Sequence, residues 1–306
     1  MKRKIIRLAE KTLVVSLPAS WLSDQALSKG DELECLIQGN RLVFIPEKPL
    51  SDASKISLDI AKMSERVLRW QISSFHKQGY DEIEITSYTS EQYVVIEELV
   101  TDLFVGFIIK ERSKLRILIG KVAVVDAGEF DATLRRAFRL LISSANEALQ
   151  SFKVGDGESL SFQLQHEKNN NKLTNFCERL LNKSLHQKEK GHFWYVIAWN
   201  LEKIADNFKY LANYYSLNLP VFEQDVLGLF EDVISYMDLY YDLFYAFSFE
   251  KLVRASRQKH DLEKRLLEHI NKVRKDEIVL LHYLHMIVLQ MADFSASTIA
   301  LRHEKA

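Results

Sequence analysis

A chain of 306 residues with 47% hydrophobic content is long enough for two or three domains with real cores. Its 41 Lys and Arg against 42 Asp and Glu leave a formal charge of −1, so no overall field draws it to nucleic acid or membrane. Any such partner must be met by a local patch.

Cys35 and Cys177 are too few for a disulfide framework and fit a reducing cytoplasm; both read as core residues. The basic start, Met1-Lys-Arg-Lys-Ile-Ile-Arg7, runs into Glu10 and Lys11 without an apolar stretch, which argues against a signal peptide. The most apolar run, 278–291, is short and carries His282 and His285, so no membrane insertion is expected. The expected location is cytoplasmic.

In chain order, 4–8 and 12–17 read as short strands. A helix follows from Pro18, with Pro at its first position. Gly30-Asp31 turns, 32–38 alternates polar and apolar, and 41–45 returns after Gly39-Asn40 as a hairpin. About 46 residues with so few large apolar groups cannot close a core alone, and pairing into a homodimer is the expected remedy.

A strand, then Val14-Val-Ser-Leu-Pro18, Trp21 and Lys29-Gly-Asp31, then a hairpin: this order resembles the AbrB/SpoVT swapped-hairpin DNA-binding domain. The resemblance covers 1–46 and implies an intertwined dimer that lays its basic N-terminal strands on DNA. The first loop, Ala9-Glu-Lys-Thr12, departs from it in lacking a glycine. The residues themselves set five cations, Lys2, Arg3, Lys4, Arg7 and Lys11, against Glu10. Doubled in a dimer, they form a patch able to release counterions from phosphate. Arg3, Lys4, Arg7 and Lys11 are the candidate DNA contacts; the plainer reading is a solvated basic strand edge.

Pro46-Glu-Lys-Pro49 reads as a stiff joint. Beyond it, 54–76 is helical by period, ended by Gly79; 80–86 is a strand; 90–104 is a helix with Ser90 as N-cap; 106–110 and 115–125 are strands. This αβαββ module reads as a structural coupler. It has no phosphate-binding glycine pattern and no Ser/His/Asp or Cys/His set, so no enzyme is expected.

From 129 onward six helices are expected, at 129–153, 158–185, 191–216, 223–247, 249–275 and 276–302, forming two three-helix units. The fold class is thus mainly α with an α+β N-terminal part. Its domains are 1–46, a coupler at 47–128, and a helical domain at 129–306 split at 217/218.

On the third of these helices Glu202 and Asp206 stack one turn apart, and two such carboxylates repel unless a Lys, Arg or metal sits between them; the plainer reading is a solvated flank relieved by Lys203 and Lys209. With Leu201-Glu-Lys-Ile-Ala-Asp206 placed there, the body resembles PhoU, the phosphate-uptake regulator. The fusion with an AbrB-like head resembles the archaeal form of that family. The resemblance implies E(D)xxxD motifs that gather iron or zinc clusters, and negative regulation of phosphate import through the transporter and a kinase. The positions carried over are Glu202, Asp206, Glu167 and Asp293. Asn171 and Leu289 stand where ligating carboxylates belong, which breaks the symmetry of the set.

Other candidates have plain readings. Six acids without a Lys or Arg lie between Glu223 and Asp242, and the basic helix carrying Arg254, Arg257, Lys264 and Arg265 is their expected counterpart. His282 and His285 lack a completing carboxylate, and Glu189-Lys-Gly-His192 falls in a loop. The aromatics from Tyr236 to Phe249 follow helical spacing and read as core. The expected function is a phosphate-uptake regulator that binds DNA and controls phosphate transport. The alternative is an adaptor that represses the phosphate transporter ATPase or a signalling partner by contact.

Overall fold

Short β-branched runs separated by turn residues give the first 46 residues their elements. β1 (Ile5–Arg7) pairs antiparallel with β2 (Leu13–Val15), Ile6 opposite Val14. α1 (Ala19–Asp24) follows, with Pro18 as its extended N-cap rather than its first helical residue. β3 (Leu33–Gln38) and β4 (Arg41–Pro46) make a hairpin whose turn holds Gly39 at φ +58°, a conformation that costs glycine little. The two hairpins are separate two-stranded sheets.

In the computed structural model the described residues are 2–8, 11–46, 54–122, 128–183 and 190–303. The expected joint beyond Pro46, loop residues Ala9 and Glu10, and Glu189 lie outside them. The chain divides into unit 1, Met1–Ala53, and unit 2, Ser54–Ala306. Among the described residues of unit 1 none is buried. Ile5 is 72% exposed and Ile37 79%, and Cys35, expected in a core, is exposed. Isolated two-stranded sheets are marginal in water.

Unit 2 opens with a β-α-β-α-β-β run, one strand more than expected. β5 (Lys55–Asp59), α2 (Glu65–Gln78), β6 (Glu82–Thr86), α3 (Ser90–Leu103), β7 (Phe107–Arg112) and β8 (Arg116–Lys121) form a sheet of order β5-β6-β8-β7 with two helices. β5 and β6 are parallel; β8 is antiparallel to both neighbours. The single helix expected over 54–76 is therefore corrected to a strand and a helix. Ile56 and Leu58 alternate with polar residues at period two, and the Asp59 side chain accepts from Ala61 N at 3.0 Å to turn the chain.

The N-cap of α3 is Thr89, not Ser90. Thr89 and Gln92 form a reciprocal capping box, and the Gln92 amide also donates to the carbonyls of Ile60 and Met63, both at 3.0 Å. Ile83, Ile85, Ile117 and Ile119 are fully buried with Leu68, Ile72 and Ile96 from the helices. At the sheet's other positions charges pair across strands, Lys55 with Glu84 at 3.1 Å and Lys110 with Glu82 at 3.0 Å.

The remainder is helical: α4 (Glu129–Val154), α5 (Gly157–Leu160), α6 (Phe162–Lys183), α7 (Gly191–Tyr215), α8 (Gln224–Tyr245), α9 (Phe249–Ile270), α10 (Lys275–Ala292) and α11 (Phe294–Arg302). Two expected helices break, at Ser161 and at Asp293. α7 is central, packing on α4, α6, α10 and α11. One continuous core runs from Phe130 to Leu301 and includes Cys177, Tyr236, Tyr240 and Phe244. Tyr215 ties its two ends: its hydroxyl donates to the Asp276 carbonyl and accepts from Leu280 N at 3.1 Å.

Lys275–Arg302 is long and apolar enough to cross a membrane by length and composition alone. In the body it is α10 and α11, with Leu280, Leu281, Leu284 and Ile287 fully buried. α2 and α3 pack on α6, so the helices of the sheet module and the bundle share one interface. Its anchor is Arg179 on α6. The guanidinium donates to the carbonyls of His76 and Tyr80, at 2.9 and 2.7 Å, and to Asp81 at 2.9 Å. A cation there also caps the carboxyl end of α2.

Candidate functional site

The first candidate is the basic strand. Arg3 and Lys4 precede β1, and Arg7 lies on it opposite Leu13. Lys11 follows in the loop, which Leu8 N closes on the Thr12 carbonyl at 2.9 Å. All four are exposed, and none has a carboxylate at ion-pair distance among the described residues. Strand alternation puts Ile5 and Arg7 on one side and Lys4 and Ile6 on the other. Each side therefore carries an apolar residue beside a cation.

The second candidate is the carboxylate set, and here the fold brings together more than the spacing of α7 foretold. Lys77 of α2 lies 2.9 Å from Glu178 of α6 and 3.1 Å from Glu202 of α7. Lys203 is 3.4 Å from Glu202 and 2.9 Å from Asp206. Lys209 is 2.5 Å from Asp206 and 2.6 Å from Glu167, to which Asn171 donates at 2.8 Å. Four carboxylates and three ammonium groups thus alternate along one seam, Glu178, Lys77, Glu202, Lys203, Asp206, Lys209, Glu167.

Burial sets the energetics of this seam. It pushes the Glu178 carboxyl up against the pull of Lys77. It lifts Glu167 likewise, with Lys209 opposing. Burial works upward on Asp206 too, but Lys209 and Lys203 hold that carboxylate below its ordinary value. The lysines in turn sit above theirs: burial works against them and the carboxylates outweigh it. The whole array is an ion-pair ladder in which each partner keeps the others charged.

Tested against a metal, the seam does not fit as it stands. Lys203 and Lys209 occupy the space between the carboxylates that an iron, zinc or other divalent ion would need. Both oxygens of Glu202, both of Asp206 and one of Glu167 are already acceptors for ammonium groups. Asp293 is exposed at the junction of α10 and α11 and joins none of these contacts. Among the described residues no three His, Cys, Asp or Glu side chains gather as ligands.

Comparison of the chain with family models, characterised proteins and solved structures finds no match.

The remaining candidates are dispersed. His282 is exposed and His285 half-buried, 3.9 Å from Glu263. The acidic face of α8 is met in two places, Asp232 by Arg265 of α9 at 2.6 Å and Glu231 by Lys153 of α4 at 2.6 Å. Two seam members escaped sequence reasoning. Glu178 had a signal, since 167, 171, 174 and 178 fall on one helical stripe. Lys77 had none; it arrives from a helix more than one hundred residues away.

Proposed function

We propose that this protein is a dimeric, DNA-binding regulator of phosphate uptake, with an AbrB-like swapped-hairpin head and a PhoU-like body of two three-helix units. The observation that carries the reading is that unit 1 buries nothing among its described residues although it holds Ile5, Ile6, Leu8, Leu13 and Ile37. Such a sequence acquires a core only against a second surface, and a twin chain supplies one of the same pattern. Pairing also doubles the exposed basic row Arg3, Lys4, Arg7 and Lys11, which suits a phosphate backbone. In the body, the ion-pair seam acts as a lock between the sheet module and the bundle. The body responds to phosphate status or to a transporter component and alters the head's affinity for DNA.

The test is a mobility-shift titration with duplex DNA at two salt concentrations. The expected result is a steep loss of affinity with salt, diminished when Arg7 and Lys11 are changed to Gln. If no shift appears even in low salt, the chain is an adaptor that acts on the transporter or a signalling protein by contact, and the DNA-binding reading fails.

A further inference from the structure

The cations of the body are not all matched to acids. Lys77, Lys203, Lys209 and Arg179 have carboxylates within 3.5 Å; three arginines of α4 do not. They lie on a groove of about 840 Å3 between α4 and α6, with Val105 also in its lining. Arg135 is held over the Tyr245 ring, 4.2 Å from its centroid. Arg139 donates from Nε to the Tyr241 hydroxyl at 3.1 Å. Arg136 is exposed, and among the described residues none of the three has a carboxylate at ion-pair distance.

A tyrosine orients a guanidinium without cancelling its charge, so Arg135 and Arg139 are positioned and still positive. Lys172 adds a fourth cation, fixed by donating to the Thr101 carbonyl at 2.9 Å. Glu129 is the one acid among the described lining residues. Half-buried Leu173 and buried Phe176 of α6 add apolar surface to the lining, beside Asn169.

We propose that this groove binds a nucleoside di- or triphosphate, its phosphates on Arg135, Arg136, Arg139 and Lys172 and its base on the apolar surface. Three observations select that class. Arg135, Arg136 and Arg139 span about 6 Å along the helix axis, the reach of two or three linked phosphoryl groups. The volume is that of a site for a small organic ligand, far more than a lone phosphate ion fills. A lining that joins four cations to Leu140, Leu173 and Phe176 matches a molecule that carries both linked phosphates and a flat apolar ring. The site belongs to unit 2 and stands whether or not the head binds DNA.

Calorimetric titration of the full chain with ATP in divalent-free buffer tests this, with adenosine and tripolyphosphate as comparison ligands. ATP is expected to bind with a dissociation constant below about 1 mM and at least tenfold more tightly than either comparison ligand. Changing Arg136 and Arg139 to Gln weakens ATP at least tenfold. The pair Arg254→Gln and Arg257→Gln on α9, or Arg7→Gln and Lys11→Gln in the head, leaves it unchanged. Should the double α4 variant melt early, the exposed Arg136→Gln alone still weakens binding severalfold. No binding of ATP, equal binding of tripolyphosphate, or α4 variants that bind as the parent does would each overturn the proposal.

Discussion

Unit 1 and unit 2 spend the same residue types in opposite ways. In unit 2, Ile72, Leu201, Ile287 and Phe244 are fully buried, and even its charges are drawn into the packing, as Glu178 and Arg179 show. In unit 1, Ile5, Leu13 and Ile37 lie open, and among the described residues its four basic positions have no carboxylate at ion-pair distance. Patterning alone makes strands; a core requires a second surface. The body supplies both surfaces from one chain, whereas in the proposed dimer the head takes its second surface from the twin. Under the proposed pairing its stability is tied to protein concentration, as for any fold completed by association.

The largest expected effect comes from putting charge into the head's apolar pattern. Ile5 and Ile6 point to opposite sides of β1, so the pair Ile5→Glu and Ile6→Glu spoils whichever side the twin covers. On exposed strands such changes move stability by no more than about 0.5 kcal/mol each. On covered ones they abolish association, with at least a hundredfold weakening in sedimentation experiments while the melting of unit 2 stays put.

Within unit 2 the sharpest break is at Arg179, whose guanidinium burial pulls down to about 10. Arg179→Met leaves the Asp81 carboxylate to Lys183 and Lys121 alone, removes the guanidinium from the Tyr80 carbonyl and leaves the His76 carbonyl only the Gly79 N–H. The expected loss is about 2–3 kcal/mol in chemical denaturation.

A smaller effect concerns His76, buried between Phe104 at 4.2 Å and Phe107 at 5.0 Å with neither ring nitrogen bonded. Burial, helped by Arg179 and Lys77, holds it well below its ordinary 6.5. A depressed value means that the unfolded chain takes up a proton near pH 6.5 while the folded chain refuses it. Stability is therefore full above pH 6.5 and falls as pH drops below it, by at most about 1.4 kcal/mol per pH unit. His76→Phe keeps the stacking and is expected to flatten the stability profile between pH 6.5 and 5.

The smallest effect on stability is that of Arg7→Gln in the head. Melting is expected to stay the same, while the salt slope of DNA binding falls by about 2 per dimer, one per chain. A melting shift with an unchanged slope would place Arg7 in the packing and not on phosphate.

The comparison also explains what the sequence disclosed. The helices of the body were legible because their apolar positions recur at three and four residues over long stretches, as from Tyr195 to Ala212. The breaks at Ser161 and Asp293 were not, because both residues keep helical dihedrals and no glycine or proline marks them. β5 was absorbed into the following helix because five residues are too few to separate period two from period 3.6. For the carboxylates, the stacking of Glu202 and Asp206 was readable and so was the need for a cation between them. That the cations are Lys203, Lys209 and Lys77 was half legible: two lie on the same helix, and the third comes from a distant one. The arginines of α4 drew no notice, since a charge reads as a solvated face until the fold shows which neighbours it lacks.

The most direct test of the paired head is hydrogen exchange at the amides of β1 to β4, followed while the full chain is diluted through its association equilibrium and its mass is monitored. The account predicts that protection over 5–46 disappears together with the dimer, while α7 and the strands of unit 2 remain protected. Strong protection of those same amides in a monomer would contradict it.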